Sequence, residues 1–159
     1  MRKLWIALLL PAAFAASAAA GARTETPEAA VRTLLAGWFE GDAARAASVL
    51  SPDFRLATLR RTEAGPHVDF QTRDSLVEAM AHLTRGGWEV RLGETTVKVD
   101  ETGIATVWAP YTFYIDGKKS HCGIETFQLY HLSAGWQIAS FADTNLWNGK
   151  EAACIDRPR

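Results

Sequence analysis

GIATVWAPYTFYIDGKKSHCGIETFQLYHLSAGWQIASFAD, residues 103–143, is the stretch of sequence that decides the fold. Three runs rich in β-branched and aromatic residues span residues 104–115, 119–132 and 136–143. Asp116-Gly117 separates the first two runs, and its glycine permits the positive φ of a primed hairpin turn. Ser133-Ala134-Gly135 forms the second turn signal. The stretch therefore predicts an antiparallel meander of three long strands.

Helical patterns come before the meander and supply apolar surface to cover one face of it. Thr26-Pro27-Glu28 combines an N-cap residue, a proline suited to the first turn and an acid at the positive end of the helix dipole. One apolar stripe follows at helical spacing, formed by Val31, Leu34, Leu35, Trp38 and Phe39. Gly41 is predicted to end this helix, and a second helix is predicted from the Asp42 cap to about Leu50.

Further strand patterns flank a third helix. The strands predicted before the meander span residues 54–61, 67–71 and 88–100. Ser51-Pro52-Asp53 is predicted to stop the second helix before the first of these strands. The third helix is predicted to begin after Thr72 or Asp74 and to be broken by Gly86-Gly87.

This order of elements predicts an α+β fold. Helices concentrated early and antiparallel strands concentrated late are typical of that class. We expect a cone-shaped, curved antiparallel sheet packed on three N-terminal helices, with a small-molecule pocket at its open mouth. No internal repeat or linker divides the sequence, which is consistent with a single domain.

The first 22 residues are interpreted as a secretory signal peptide. Arg2 and Lys3 precede an apolar run that ends in small residues, and the run is shorter than the roughly 20 residues needed to span a bilayer. The alternative interpretation is a membrane anchor. The predicted division is a signal peptide at 1–22, a domain at 23–145 and a C-terminal tail at 146–159, and the predicted location is periplasmic or secreted.

Charge and cysteine content narrow the classes of partner. Removing Arg2 and Lys3 from the 17 basic residues leaves 15 against 18 acidic ones, a net charge of −3. This balance argues against nucleic acid as a partner and against binding to an anionic membrane after signal cleavage. Cys122 and Cys154 are expected to form a disulfide in an exported protein, with two free thiols as the alternative. No metal-ligand spacing occurs, and no cofactor is predicted.

The sequence resembles the nuclear transport factor 2-like superfamily. The resemblance rests on Trp38-Phe39-Glu40-Gly41-Asp42, Ser51-Pro52-Asp53-Phe54, Ser120-His121-Cys122-Gly123, Phe127-Gln128-Leu129 and Gly135-Trp136-Gln137-Ile138. It is greatest to the exported bacterial members called SnoaL-like or lumazine-binding-like. It implies the cone fold and a common sheet-to-sheet dimer, for which Trp108 is a candidate contact. The catalytic pattern of the ketosteroid isomerases does not transfer, since the first helix offers Trp38 in place of a tyrosine.

His121 and Glu125 are the leading candidates for chemistry. They alternate onto the same strand face as Phe127, and they are separated by about 13 Å along an extended strand. A buried Glu125 with a raised pKa could act as a general base, and His121 could act as an acid or an orienting donor. The alternative interpretation pairs Glu125 with Arg60 and leaves His121 bonded to a backbone group.

Further residues are predicted to line a ligand pocket. Tyr111 could donate its hydroxyl into the pocket or serve as an amphipathic wall. Asp143 is a speculative catalytic residue, because strict alternation from Trp136 and Ile138 directs it outward unless a bulge intervenes. Trp38, Arg60 and Phe127 are predicted ligand contacts, although Trp38 also fits the helix core.

Three functions remain open from the sequence. The first is an exported domain that binds a small apolar or aromatic molecule in the cone. The second is an isomerase, dehydratase or hydrolase that uses Glu125 and His121 for proton transfer. The third is a dimeric interaction module, with a homodimer as the predicted partner.

Overall fold

A computed structural model describes residues 24–145 of the chain. The helices are α1 (Pro27–Glu40), α2 (Ala43–Ala47) and α3 (Arg73–Ala81). The strands are β1 (Leu50–Thr62), β2 (Gly65–Thr72), β3 (Trp88–Leu92), β4 (Thr96–Val99), β5 (Ile104–Ile115), β6 (Lys118–Leu132) and β7 (Gly135–Asn145). The predicted signal peptide, Cys154 and the predicted tail lie outside the described residues.

The strands form one mixed sheet in the order β2-β1-β7-β6-β5-β3, and β4 also pairs with β5. All pairs are antiparallel except β1 with β7, which run parallel. The predicted α+β fold, a curved sheet packed on three helices, is confirmed, and the parallel pair corrects the expectation of a purely antiparallel sheet. The meander is confirmed nearly to the residue, since β5 begins and ends at its predicted limits.

The helices begin where local capping chemistry predicts. The Thr26 side chain accepts a hydrogen bond from Ala29 N, and Gly41 ends α1 with a φ of 69°. Thr72 and Ser75 form a reciprocal capping box at the start of α3. Both helices direct apolar residues towards the sheet, where Leu34 and Met80 are fully buried.

The second helix is shorter than predicted, and β1 begins earlier. The helix ends at Ala47, and Leu50 already pairs with Ile138 of β7. The Ile138 N–H donates to Val49 O at 2.8 Å. The Ser51-Pro52-Asp53 segment does not precede the strand but forms an irregularity within it. A partner 88 residues away in the sequence thus overrides the local helix pattern.

The predicted strand at 88–100 is two strands. Leu92 pairs with Tyr111, and Thr96 pairs with Trp108, so residues 93–95 oppose only Ala109 and Pro110 and form a bulge. Proline has no N–H with which to continue a ladder. The Gly93 N–H donates instead to Pro110 O at 2.7 Å, which holds the bulge in place.

The end of β7 approaches β6 closely at Gly123 and Thr144. A Cβ atom at Gly123 would lie 1.7 Å from Thr144 O. The Thr144 hydroxyl accepts a hydrogen bond from Ile124 N at 2.9 Å, which replaces a ladder bond where the two strands part. Gly123 is therefore required by packing and not by its backbone dihedrals.

We expect Gly123→Ala to destabilise the fold by about 2–3 kcal/mol, because the added methyl group must displace Thr144. Gly93→Ala is the matched control, since its Cβ would meet Pro110 Cβ at 3.5 Å, an ordinary contact distance. We expect it to change the free energy of unfolding by less than about 1 kcal/mol. Urea unfolding of both variants measures the difference, and equal stability of the two would contradict this role for Gly123.

Candidate functional site

A cavity of about 540 Å³ lies between α1, α3 and the curved sheet. Its aromatic lining residues are Trp38, Trp88, Tyr111, Phe113 and Phe141. Trp38 packs edge-on against Trp88 at a ring separation of 6.2 Å and lies 6.0 Å from Phe141. The cavity size and its mixture of aromatic and polar lining residues are typical of a small-molecule site.

Cross-strand register brings the polar side chains of the cavity into one row. Thr58 pairs with Asp143, Asp143 pairs with Glu125, and Glu125 pairs with Ala109. The small side chain of Ala109 leaves space beside the carboxyl groups. Directly opposed residues on neighbouring strands have Cβ atoms about 5 Å apart, so Glu125 and Asp143 are immediate neighbours.

Asp143 reaches the cavity because β7 contains an irregularity. Leu129 of β6 pairs with Ile138, but the next residue back, Gln128, pairs with Ser140. Ala139 is thus an extra residue that reverses the alternation. Ile138 and Asp143 therefore lie on the same sheet face, as the sequence required if Asp143 was to enter the cavity.

Glu125 is buried, with 1% of its surface exposed. Its Oε2 atom has no hydrogen-bond partner. Burial raises the pKa of this carboxyl well above its ordinary value, and the negative charge of Asp143 raises it further. Glu125 consequently favours the protonated, neutral form in which a carboxyl group can donate a hydrogen bond.

Asp143 has the same tendency but more polar support. Burial raises its pKa, whereas hydrogen bonds from Thr58 and Tyr111 and the positive charge of Arg60 lower it. The Tyr111 hydroxyl lies 3.0 Å from Asp143 Oδ2 and 3.2 Å from Thr144 O. Asp143 Oδ1 has no partner. Of the two neighbouring carboxyls, Asp143 is therefore the one that the protein supports in its ionised form.

Tyr111 of β5 is a buried donor that lies opposite Gly123 of β6 and reaches β7 with its hydroxyl group. It is 4% exposed, and burial together with the charges of Asp143 and Glu125 raises its pKa. The phenol therefore stays protonated and donates towards Asp143 and Thr144. Its predicted hydroxyl donor function is directed at protein atoms in this structure.

His121 lies on the cavity wall but not against Glu125. Its Nδ1 atom is 3.0 Å from the Ser120 hydroxyl oxygen, and its ring packs 4.9 Å from Phe113 and 5.7 Å from Tyr111. Burial, aided by the positive charge of Arg60, lowers its pKa to about 4. His121 is thus neutral near pH 7, and its described polar partner is a side chain where a backbone group was expected.

Of two predicted ligand contacts, Arg60 lines the cavity and Phe127 does not. Arg60 lines the cavity and binds Asp69 through a 2.6 Å Nε–Oδ2 contact, which differs from the alternative interpretation that paired it with Glu125. Phe127 is fully buried and stacks on Phe141 with ring centroids 4.6 Å apart. It belongs to the hydrophobic core, and Phe141, but not Phe127, lines the cavity.

The predicted disulfide remains a prediction, since Cys154 lies outside the described residues. Cys122 itself is 5% exposed on β6.

Among residues 24–145, no group of three or more His, Cys, Asp or Glu side chains is arranged to hold a metal ion. Within the same residues, no helix is long and apolar enough to cross a membrane.

Comparison with solved structures identifies the architecture. A nuclear transport factor 2-like protein from Novosphingobium aromaticivorans superposes with a TM-score of 0.57 at 17% identity, covering 78% of this chain and 81% of that chain. The chain has the nuclear transport factor 2-like fold. No family model matches the sequence, and no curated protein matches it.

Other solved structures superpose equally well. One, from Rhodospirillum rubrum, is described as a protein of unknown function in nutrient uptake, with a TM-score of 0.57 at 16% identity over 77% of this chain and 99% of that chain. Another, from Novosphingobium aromaticivorans, is described as a candidate aromatic ring hydroxylase, with a TM-score of 0.56 at 14% identity over 75% of this chain and 85% of that chain. At these identities the likeness concerns the fold alone.

Sequence reasoning missed several cavity residues of this nuclear transport factor 2-like fold. Thr58, Trp88, Phe113 and Phe141 line the cavity, although none was predicted to contact a ligand. Strand parity could have found Phe113, which shares its face with Tyr111. Phe141 could not be found in this way, because its orientation depends on the extra residue in β7.

We expect Glu125→Gln to change the dependence of stability on pH. A carboxyl whose folded pKa is raised contributes stability below its unfolded pKa and loses it as the pH rises. Wild-type stability should therefore fall relative to the variant between about pH 5 and pH 8, by at most about 1.4 kcal/mol per pH unit. Urea unfolding across this range measures the difference.

Asp69→Asn is the control, because its effect on stability should depend on pH in the opposite direction. The hydrogen bond from Arg60 lowers the pKa of the exposed Asp69 carboxyl, so the stability that Asp69 contributes is lost only as the pH falls into the acid range. A Glu125→Gln difference that stays constant across the pH range would show that Glu125 titrates as an ordinary surface carboxyl.

Proposed function

We propose that this protein binds a small, mostly apolar or aromatic molecule within the cone. The observation that carries the proposal is a buried carboxyl group, Glu125, beside a half-buried one, Asp143, in a cavity whose wall is partly aromatic. Each group has one oxygen without a hydrogen-bond partner. Buried polar atoms are nearly always paired, so unpaired ones beside an open cavity suit a ligand group or water.

The cavity is shaped for an apolar body with one polar end. Trp38 of α1 packs against Trp88 of β3, which packs against Phe113 of β5, and these rings form the apolar part of the wall, whereas the carboxyl row lies on β6 and β7. Leaving a buried polar group unpaired costs about 1–3 kcal/mol, so a ligand that pairs it gains affinity as well as orientation. The descriptions of two similar structures, in nutrient uptake and in aromatic ring hydroxylation, also concern small molecules.

Proton transfer is the second candidate function. The specific observation in its favour is the unequal support of the two carboxyls: Asp143 receives hydrogen bonds, whereas Glu125 is buried with an unpaired oxygen. Adjacent acids with different environments can act as a base and an acid in one reaction. Asp143 would then accept a proton and Glu125 would donate one, in an isomerase or dehydratase reaction. His121 has a smaller part than the sequence suggested, since it contacts neither carboxyl among the described residues.

An interaction module remains the third candidate. Ile104, Trp108 and Tyr130 are 44%, 41% and 37% exposed on the outer face of the sheet, which suits the predicted homodimer. The open cavity favours ligand binding over a vestigial pocket. Export to the periplasm or beyond is part of the proposal, and it rests on the sequence of residues 1–22.

We expect Ile115→Trp to reduce ligand affinity at least about tenfold, because Ile115 lies at the cavity mouth and is 42% exposed. Ile104→Trp is the matched control, with the same substitution at 44% exposure on the opposite face. Ligand-observed NMR with a panel of aromatic and alicyclic compounds identifies binders, and calorimetry gives their affinities. Equal affinities in the two variants, or no binder for the wild type, would count against binding in the cone.

We expect wild-type protein to exchange a carbon-bound proton of a bound ketone with heavy water only if the second candidate is correct. In that case Asp143→Asn should slow exchange at least about 100-fold, since it removes the base. Ser120→Ala is the control, because Ser120 lines the cavity without touching either carboxyl. Proton NMR of cyclic ketones follows the exchange, and its absence in the wild type argues for binding without catalysis.

A further inference from the structure

Three buried polar atoms without partners belong to side chains that line the same cavity. Among the described residues, these atoms are Trp38 Nε1, Glu125 Oε2 and Asp143 Oδ1. Trp38 is 5% exposed and Glu125 is 1% exposed. A fourth such atom, Arg73 Nε, belongs to a residue outside the cavity lining. The cavity thus concentrates most of the unmet hydrogen-bonding capacity of the described chain.

Ring packing and strand register connect the three side chains through Phe141. Trp38 packs against Phe141, and Phe141 precedes Asp143 by two residues on the same strand face. Phe141 also pairs with Phe127, the residue two positions from Glu125 on β6. The indole ring therefore lies against Phe141, one step along the strands from the carboxyl row.

The atoms differ in what they require from a ligand. The indole N–H only donates, whereas an ionised carboxyl only accepts and a protonated one does both. A ketone oxygen would satisfy the indole but could not donate to a carboxylate. An ammonium group would satisfy a carboxylate but could not accept from the indole. Apart from water itself, a hydroxyl group is the smallest group that does both.

We propose that the part of the cavity beside Phe141 recognises a phenolic or alcoholic hydroxyl group of the ligand, which accepts from Trp38 Nε1–H and donates to the Glu125–Asp143 carboxyl pair. This inference rests on the proposed ligand-binding function and names its ligand class. Trp38 is then a specificity-determining hydrogen-bond donor and not merely part of the helix core.

The proposal implies selectivity against compounds that lack the hydroxyl group. A site built to hydrogen-bond a hydroxyl rejects analogues without it, because its own buried polar groups are then left unpaired. One net hydrogen bond contributes a factor of about 2–12 in affinity, so two of them give roughly 10–100-fold. A methyl ether retains the acceptor oxygen but loses the donor and should bind with intermediate affinity.

The test uses β-naphthol, its methyl ether and naphthalene with protein purified after expression of the full sequence. Calorimetry or NMR titration gives the affinity of each compound. The indole region of a proton–nitrogen correlation spectrum reports directly on the Trp38 N–H, whose signal is assigned by its loss in Trp38→Phe. Trp88→Phe is the matched control, since Trp88 also lines the cavity but its Nε1 is not among the unpaired buried atoms.

We expect β-naphthol to bind the wild type at least about tenfold more tightly than naphthalene. It should also move the Trp38 indole signal downfield, which naphthalene should not do. Trp38→Phe should reduce the ratio of the two affinities several-fold, while Trp88→Phe should weaken both compounds alike. A merely structural role for Trp38 would weaken both compounds alike as well.

Two further outcomes distinguish failure of the hydroxyl proposal from failure of the proposed ligand-binding function. If all three compounds bind with equal affinity and the Trp38 signal stays in place, the hydroxyl proposal is overturned while binding in the cone stands. Ordered water would then be the partner of the three atoms. If none of the three compounds binds the wild type, both the hydroxyl proposal and the proposed binding of aromatic molecules are overturned.

Discussion

The polar character of the cavity depends on one extra residue, Ala139, in β7. Side chains alternate along a strand, so Ile138 and Asp143, an odd number of positions apart, would otherwise lie on opposite sheet faces. The insertion lets Ile138 stay in the core while Phe141 and Asp143 turn to the cavity. The same register places Thr58 of β1 beside Asp143. One local irregularity thus determines which groups meet across four strands.

The carboxyl row is energetically unfavourable for the fold, and its neighbours compensate for it. Beneath it lies an apolar row of register partners in the core, formed by Leu56, Phe141, Phe127 and Val107. The burial of those side chains stabilises the sheet by roughly 2 kcal/mol each, enough to tolerate a buried acid that keeps its proton. Tyr111 and Thr58 offset part of the penalty at Asp143, whereas no described donor does so at Glu125 Oε2. Carboxyl groups with such different polar support and raised pKa values occur preferentially at functional sites.

Local chemistry made the meander and the helix starts predictable, and long-range pairing explains most of what was not. Asp116-Gly117 and the Thr26 cap act within a few residues, so sequence patterns reveal them. The start of β1 at Leu50 depends on Ile138, and the break between β3 and β4 depends on Pro110. The partner of Arg60 is Asp69 because the β1–β2 hairpin brings them together. In the site, parity alone placed Glu125, His121 and Tyr111 on the cavity face, but not Asp143.

The same pair of carboxyls serves both binding and catalysis in the proposals above, and the difference lies in where one proton resides. Tyr111 donates to Asp143, and burial favours the proton on Glu125, so the pair presents one acceptor and one donor to the cavity. A ligand hydroxyl group can form hydrogen bonds with both carboxyl groups without any proton transfer. Catalysis requires more, namely a substrate proton acidic enough for Asp143 to remove while Glu125 protonates another atom. Recognition of a hydroxyl group therefore requires only hydrogen bonds from this pair of carboxyl groups. A reaction would require the same contacts and, in addition, the transfer of a proton.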